Sequence, residues 1–90
     1  MPVKVHIPAP LRAHTEGQDA VQTTGATVQD VLTDLGRQYP AITDRLFDKG
    51  QVRRFVNVYL NDEDIRYLDN LATAVNEGDS VSIIPAVAGG

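Results

Sequence analysis

A single amphipathic helix among alternating segments is the feature that most constrains the fold of this chain. Between positions 28 and 35, apolar residues recur with the i, i+3, i+4, i+7 spacing that gives a helix one apolar face. Thr27 precedes this stripe and, with Asp30 three residues later, resembles a capping box. Tyr39-Pro40 ends the helix, because proline disfavours helical geometry in the residue before it.

Apolar and polar residues alternate in most of the other periodic segments, with the period of half-buried strands. The predicted strands are residues 3–7, 20–23, 55–60, 65–67 and 80–84. A short second helical segment is predicted from Ile42 to Phe47, and Asn61 to Asp64 is predicted to be a polar turn. Gly36 is expected to weaken the last turn of the main helix, because glycine costs a helix about 1 kcal/mol relative to alanine.

The order ββαβββ predicts an α+β fold of the β-grasp type, a mixed sheet of about five strands over one main helix. The helix provides a crossover, so the first and last strands can lie side by side in parallel at the sheet centre. We expect residues 1–85 to form one domain and residues 86–90 to form a flexible C-terminal tail. The predicted core is Val5, Ile7, Val28, Val31, Leu32, Leu35, Val56, Val58, Val81 and Ile83.

The composition excludes several classes of function. A net charge of −4 disfavours nucleic acid, which selects a basic face, and fits a partner with a basic docking surface. No apolar run is long enough to span a bilayer and no signal segment opens the chain, so we expect a cytoplasmic protein that binds no membrane. The chain has no cysteine, so it cannot carry sulfur as a cysteine persulfide.

Catalytic and metal-binding patterns are absent from the sequence. Neither His6 nor His14 has metal-ligand spacing to a carboxylate, and the acids from Asp62 to Asp64 lack the alternation of a calcium loop. No serine has a histidine base near it in the sequence. We therefore expect no bound metal or cofactor, and a protein that is not itself an enzyme.

The C-terminal residues point to chemistry at the chain end. After Ile84-Pro85, the chain finishes in Ala86-Val87-Ala88-Gly89-Gly90, where no turn can follow the two glycines. Such a tail makes sense if the terminal carboxylate enters a narrow cleft in another protein, because glycine allows close backbone approach. Five extended residues reach roughly 17 Å at about 3.3–3.6 Å each. The alternative is an ordinary frayed terminus.

A docking surface is predicted beside this tail. If Val81 and Ile83 face the helix, Ile84 points outward, on the same side of the sheet as Phe55 and Tyr59. Clustered exposed apolar groups near a reactive tail suggest partner binding, although single exposed apolar residues are normal on any surface.

Several segments together resemble a known family. They are the first strand leading to Leu11-Arg12, the strand Val56-Asn57-Val58, the segment Gly78-Asp79-Ser80-Val81, and the ending from Ile84 to Gly90. Over essentially the whole chain these residues resemble the MoaD/ThiS family of ubiquitin-like sulfur carriers. The stretches 11–15, 61–64 and 85–90 are most similar to the CysO branch, the carriers of cysteine biosynthesis.

The resemblance implies a reactive carboxylate at Gly90, with Gly89 giving access to it. A ubiquitin-activating-type enzyme would adenylate Gly90 with ATP, and sulfur transfer would leave a covalent 1-thioglycine there. The partner-binding residues would be Ile84, Pro85, Val87, Ala88, Phe55 and Tyr59. The CysO-like segments imply a pyridoxal-phosphate (PLP) cysteine synthase as the sulfur acceptor and a zinc metalloprotease that releases cysteine.

Other functions stay open at this point. Carriers for molybdopterin synthesis, thiazole synthesis and tRNA thiolation share the same ending. A protein modifier that joins Gly90 to lysines would share the activation step and differ in the acceptor. A β-grasp interaction module with an inert tail is the third class.

Overall fold

The computed structural model describes residues 2–53 and 56–85 and confirms the β-grasp fold. The strands are β1 (Pro2–His6), β2 (Ala20–Thr24), β3 (Phe47–Asp48), β4 (Gln51–Val52), β5 (Val56–Leu60), β6 (Glu63–Asp64) and β7 (Ser80–Pro85). The helices are α1 (Val28–Gln38) and α2 (Pro40–Leu46). Short 3₁₀ helices span Ala9–Thr15, Ile65–Tyr67 and Asn70–Ala72.

The main sheet has the order β2-β1-β7-β5-β6 within the described residues. β1 and β7 pair in parallel, with Val5 opposite Val81, and the other neighbours pair in antiparallel fashion. The prediction of a parallel pair formed by the first and last strands is therefore confirmed. β7 lies in the middle of the sheet, so both of its edges are used by neighbouring strands.

Helix α1 forms as its sequence pattern predicts. The Thr27 hydroxyl accepts a hydrogen bond from the Asp30 N–H at 3.2 Å, which satisfies one of the free donors of the first turn. All four residues of the predicted apolar stripe are buried against the sheet. The second helical segment is also present as α2, although Phe47 begins β3 instead of ending the helix.

Nine of the ten predicted core residues are buried, and the tenth, Val56, is half-buried. Val56 pairs with Pro85 at the end of β7, where the sheet finishes. The core also includes Ile42 and Leu46 from α2 and Ile65 from the second 3₁₀ helix. These residues close the end and the β5 side of the core, which α1 alone does not cover.

The prediction for residues 61–67 is wrong in its boundaries. The strand after the turn is Glu63–Asp64, and residues Ile65–Tyr67, predicted as a strand, form a 3₁₀ helix. Asn61 and Asp62 have φ values of 54° and 88°, so two residues complete the hairpin and β6 starts earlier than predicted. The Asp64 carboxylate then accepts the Arg66 N–H at 2.9 Å, which starts the 3₁₀ turn.

A second hairpin, β3–β4, was not predicted from the sequence. Phe47 pairs with Val52 and Asp48 with Gln51, around Lys49 and Gly50 at φ values of 54° and 80°. The strands are two residues each, too short for alternation to be visible in the sequence.

Gly36 is explained by the contact between α1 and α2. The helix continues past it to Gln38, and a Cβ at position 36 would collide with the Thr43 hydroxyl on α2. The glycine therefore allows the two helices to approach closely, which offsets its low helix propensity.

We expect Gly36→Ala to destabilise the protein by about 1 kcal/mol, although alanine favours a helix, because the added methyl displaces the Thr43 side chain. In a Thr43→Ala background the same change should be neutral or stabilising. Urea unfolding of the two single variants and the double variant measures both effects. A Gly36→Ala protein more stable than the wild type, with Thr43 present, would contradict the packing argument.

Candidate functional site

The last strand, β7, runs to one end of the sheet. β7 ends at Pro85, which is half-buried and lies opposite Val56 at the start of β5. At its beginning, β7 is fixed by Asn61, whose backbone N–H donates to the Ser80 carbonyl at 2.8 Å and whose side-chain oxygen accepts from the Ser80 N–H at 3.0 Å. The strand that leads into the predicted tail is thus held at both ends.

Five of the predicted site residues lie outside the residues that the structure describes. These are Phe55, Val87, Ala88, Gly89 and Gly90. Their assigned roles stay predictions.

The outer face of the sheet carries the other predicted docking residues. Ile84 is 47% exposed, and it lies opposite Asn57 on β5. Tyr59 is half-buried opposite Ser82, one pair further along the same face. Val81 and Ile83 face the helix and are buried, as predicted. Ile84 and Tyr59 therefore share one face, and Pro85 follows Ile84 as the last residue of β7.

An ion pair that the sequence analysis did not single out lies next to Tyr59. Asp64 is opposite Tyr59 in the β5–β6 register, and its carboxylate accepts from Arg66 Nη2 at 2.7 Å and from Nε at 3.2 Å. These bonds, with the Arg66 backbone N–H, hold the pKa of Asp64 below its usual range. The same pairing raises the pKa of Arg66.

A second carboxylate fixes the end of the sheet at which β7 begins. Asp79 accepts the Asn76 N–H at 2.8 Å and the Asn61 side-chain amide at 3.1 Å. The bond from Asn76 and then the bond from Asn61 lower the pKa of Asp79. This network ties the β5–β6 turn to the start of β7.

The described residues contain no candidate metal site. Within 2–53 and 56–85, no group of three or more histidine, cysteine or acidic side chains could hold a metal ion. His6 is exposed on the outer face of β1. No helix in this part of the chain is long and apolar enough to cross a membrane.

Sequence reasoning missed Asp64, Arg66 and Tyr67 as site candidates. Asp64 and Arg66 were assigned to a solvated turn and a short strand, because the two-residue hairpin was not recognised. The usable signal was the Asn61-Asp62 pair, since both residue types tolerate positive φ and together favour a tight hairpin.

Comparison with known families decides the classification. The model of the ThiS family matches residues 5–90, nearly the whole sequence. The chain belongs to the ThiS family. Along its full length it is 52% identical over 93 aligned positions to sulfur carrier protein CysO of Mycobacterium tuberculosis, and the alignment covers 100% of both chains.

Two further comparisons place the chain within its structural relatives. It is similar to a chain of the crystal structure of the Amycolatopsis orientalis BexX/CysO complex, with a TM-score of 0.92 and 44% identity, over 98% of this chain and 99% of that one. Small archaeal modifier protein 3 of Haloferax volcanii is 46% identical over 65 residues, which cover 72% of this chain and 71% of the modifier. The ThiS-family fold is therefore shared with proteins named as carriers and as modifiers.

The two lowered carboxyl pKa values predict acid sensitivity. Because the folded-state pKa lies below the unfolded value of about 3.9, Asp64 and Asp79 contribute stability that is complete above that value. This stability is lost as the pH falls through the folded pKa. We expect Asp64→Asn and Asp79→Asn to be less stable than the wild type at neutral pH and to lose less stability on acidification. Urea unfolding between about pH 7 and pH 2 measures this difference, and curves parallel to the wild type would contradict it.

Proposed function

We propose that this chain is a sulfur carrier protein whose Gly90 carboxylate is adenylated and then converted to a thiocarboxylate. The observation that carries the proposal is the full-length match to sulfur carrier protein CysO, at 52% identity. The family model also extends to residue 90, so it includes the Gly-Gly ending. The protein acts as a co-substrate, and the catalytic groups belong to its partner enzymes.

The chemistry follows from the properties of a terminal carboxylate. With a pKa near 3.3–3.7 it is an anion at neutral pH and repels nucleophiles. One carboxylate oxygen attacks the α-phosphorus of ATP and pyrophosphate leaves, which gives an acyl-adenylate. Hydrosulfide, or the outer sulfur of an enzyme persulfide, then attacks the carbonyl carbon; in the second case a thiol reductant cleaves the S–S bond of the resulting acyl disulfide and is itself oxidised to a disulfide. AMP departs with the oxygen, and the sulfur remains on Gly90 as the thiocarboxylate.

The domain's contribution is to hold the tail in place and to dock. Ile84 and Tyr59 give a partner an apolar contact on the outer face, next to the point where β7 ends at Pro85. Bare backbone at Gly89 and Gly90 fits a narrow channel, because neither residue has a Cβ. The ubiquitin-activating-type adenylating enzyme is the first partner that needs this surface.

Cysteine biosynthesis is the pathway that we propose. In this proposal, as the resemblance to the CysO branch implies, a PLP-dependent cysteine synthase accepts the sulfur and a zinc metalloprotease later releases cysteine. Carriers for molybdopterin, thiazole or thiolated tRNA synthesis are the alternatives within the same chemistry.

Protein modification is a second candidate, favoured by the similarity to small archaeal modifier protein 3. A modifier would form an isopeptide bond between Gly90 and a lysine of another protein. Intact-mass analysis of the chain from its native cells separates the two. An oxygen-to-sulfur mass increase at the terminus supports the carrier, and a series of larger covalent species supports the modifier.

Deletion of Gly90 should abolish acyl-adenylate formation and leave folding unchanged. The deletion withdraws the carboxylate by about 3.3–3.6 Å, far more than an in-line attack on ATP tolerates. Gly89→Val should have the same effect, because a β-branched side chain clashes with a channel shaped for bare backbone. Pyrophosphate release by the cognate adenylating enzyme is the measurement, and thermal unfolding is the control. Wild-type turnover by the deletion variant would end the sulfur-carrier hypothesis.

Ile84→Asp should weaken docking without blocking the reaction at the tail. Burying a new carboxylate in an apolar contact is unfavourable, so we expect the KM for the chain to rise about tenfold or more while kcat is nearly kept. Gln29→Glu, on the exposed side of α1, adds the same charge as a matched control. Equal KM values for the two variants would remove Ile84 from the docking surface.

A further inference from the structure

Two large apolar side chains stand out among the residues that the structure describes, because each is strongly exposed. One is Ile84 on β7, at 47%, and the other is Tyr67, at 83%, in the 3₁₀ helix that follows β6. Ile84 is accounted for by the docking face. Tyr67 lies beyond the edge of that face and has no role in the function proposed above.

The strand register connects the two residues. Tyr59 lies opposite Ser82 on one side and opposite Asp64 on the other. Directly opposed residues of antiparallel strands share a face, and so do residues two apart on one strand. Ile84, Tyr59 and Asp64 therefore follow one another across the outer face of β7, β5 and β6.

Arg66 continues this line toward Tyr67. The side chain of Asp64 is only 7% exposed, whereas that of Arg66 is 64% exposed. The buried carboxylate accepts two side-chain hydrogen bonds from Nε and one from Nη2, which fixes the plane of an exposed guanidinium. Tyr67 directly follows Arg66 in the same 3₁₀ helix, and Tyr59 lies opposite Asp64, the partner of Arg66.

We propose that Ile84, Tyr59, Arg66 and Tyr67 form one docking strip, and that it takes a partner protein surface that is mainly apolar and offers uncharged hydrogen-bond acceptors. The proposal deepens the proposed function and rests on it, because the partner is the enzyme that receives the tail. Arg66 binds the acceptors, and Asp64 is a positioning residue that acts through Arg66.

The chemistry of the partner follows from the charge of the strip. Asp64 neutralises Arg66, and the other members are uncharged, so the strip has no net charge of its own. The guanidinium keeps N–H groups that Asp64 does not use, and main-chain carbonyls are suitable acceptors for them. Tyrosine and arginine, both present here, are the residue types enriched at the energetic centres of protein interfaces.

The strip also differs from the other ion pair among the described residues. Arg37 contacts Asp34 through a single atom pair at 3.8 Å, on helix α1 and thus on the opposite side of the sheet. Its guanidinium has no comparable fork of bonds, so it is not held in one orientation. Arg37 is therefore a matched control for Arg66.

The test is steady-state pyrophosphate release by the cognate adenylating enzyme, with the concentration of the chain varied. We expect Arg66→Gln and Tyr67→Ala each to raise the KM for the chain about tenfold and to leave kcat within about twofold. Arg66→Lys should not restore the wild-type KM, because it keeps the charge and loses the planar fork. Asp64→Asn should raise KM in the wild-type background and have little further effect in Arg66→Gln. Arg37→Gln should resemble the wild type.

Salt dependence tests the predicted partner chemistry. Because the strip is neutral, we expect the wild-type KM to change less than about threefold between low and high salt. Binding that is steered by opposite charges depends much more steeply on salt concentration. A steep salt dependence that Arg66→Gln removes would assign the strip to an acidic partner and overturn the proposal.

The remaining outcomes separate this inference from the proposed function. Wild-type KM values for Arg66→Gln and Tyr67→Ala would overturn the strip and leave the carrier function intact. A wild-type chain that supports no pyrophosphate release would overturn the carrier function and the strip with it. Self-association of the wild-type chain that Tyr67→Ala abolishes, with KM unchanged, would assign the strip to a second copy of the chain and overturn the proposal.

Discussion

The parallel pairing of β1 with β7 is the constraint on which the rest of the molecule depends. It brings the first and last strands of the chain together at the centre of the sheet, with Val5 opposite Val81 and both fully buried. Because β7 is then flanked by β1 and β5, it cannot shift its register without exposing Val81 and Ile83. The hydrophobic core thereby fixes the position of β7 up to Pro85, its last residue.

The sequence predicts those parts of the fold in which one physical signal dominates. The stripe from Val28 to Leu35 predicts α1, and alternation predicts the long strands β1, β5 and β7. Prediction fails from Asn61 to Tyr67, where backbone conformation decides the structure. There, two residues at positive φ turn the chain, and Asp64 bonds to the backbone two residues later. Neither feature produces a periodic pattern of hydrophobic residues. The sequence pattern therefore predicts the strand two residues too late in the chain and does not indicate the ion pair.

The residues of the candidate site likewise fall into those that the sequence pattern predicts and those that it does not. Ile84 and Tyr59 could be assigned to the outer face from alternation alone, because strand faces have a period of two. Arg66 and Tyr67 could not, because they lie in a 3₁₀ helix that no alternation describes. The roles of Gly89 and Gly90 stay predictions, because both residues lie outside the described part of the chain.

The acidic side chains around the sheet bear on how a partner would meet the docking strip. Acids such as Asp62, Glu77 and Asp79 lie around the turns at the beginning of β7, whereas the predicted tail follows its other end. Asp64 lies in line with Tyr59 and Ser82, nearer to the beginning of β7 than to Pro85, and it is paired with Arg66. This ion pair is neutral, and the exposed acids Asp62 and Glu63 directly precede it in the chain. In the proposed strip itself, recognition then depends on shape, on the fixed guanidinium plane and on apolar contact.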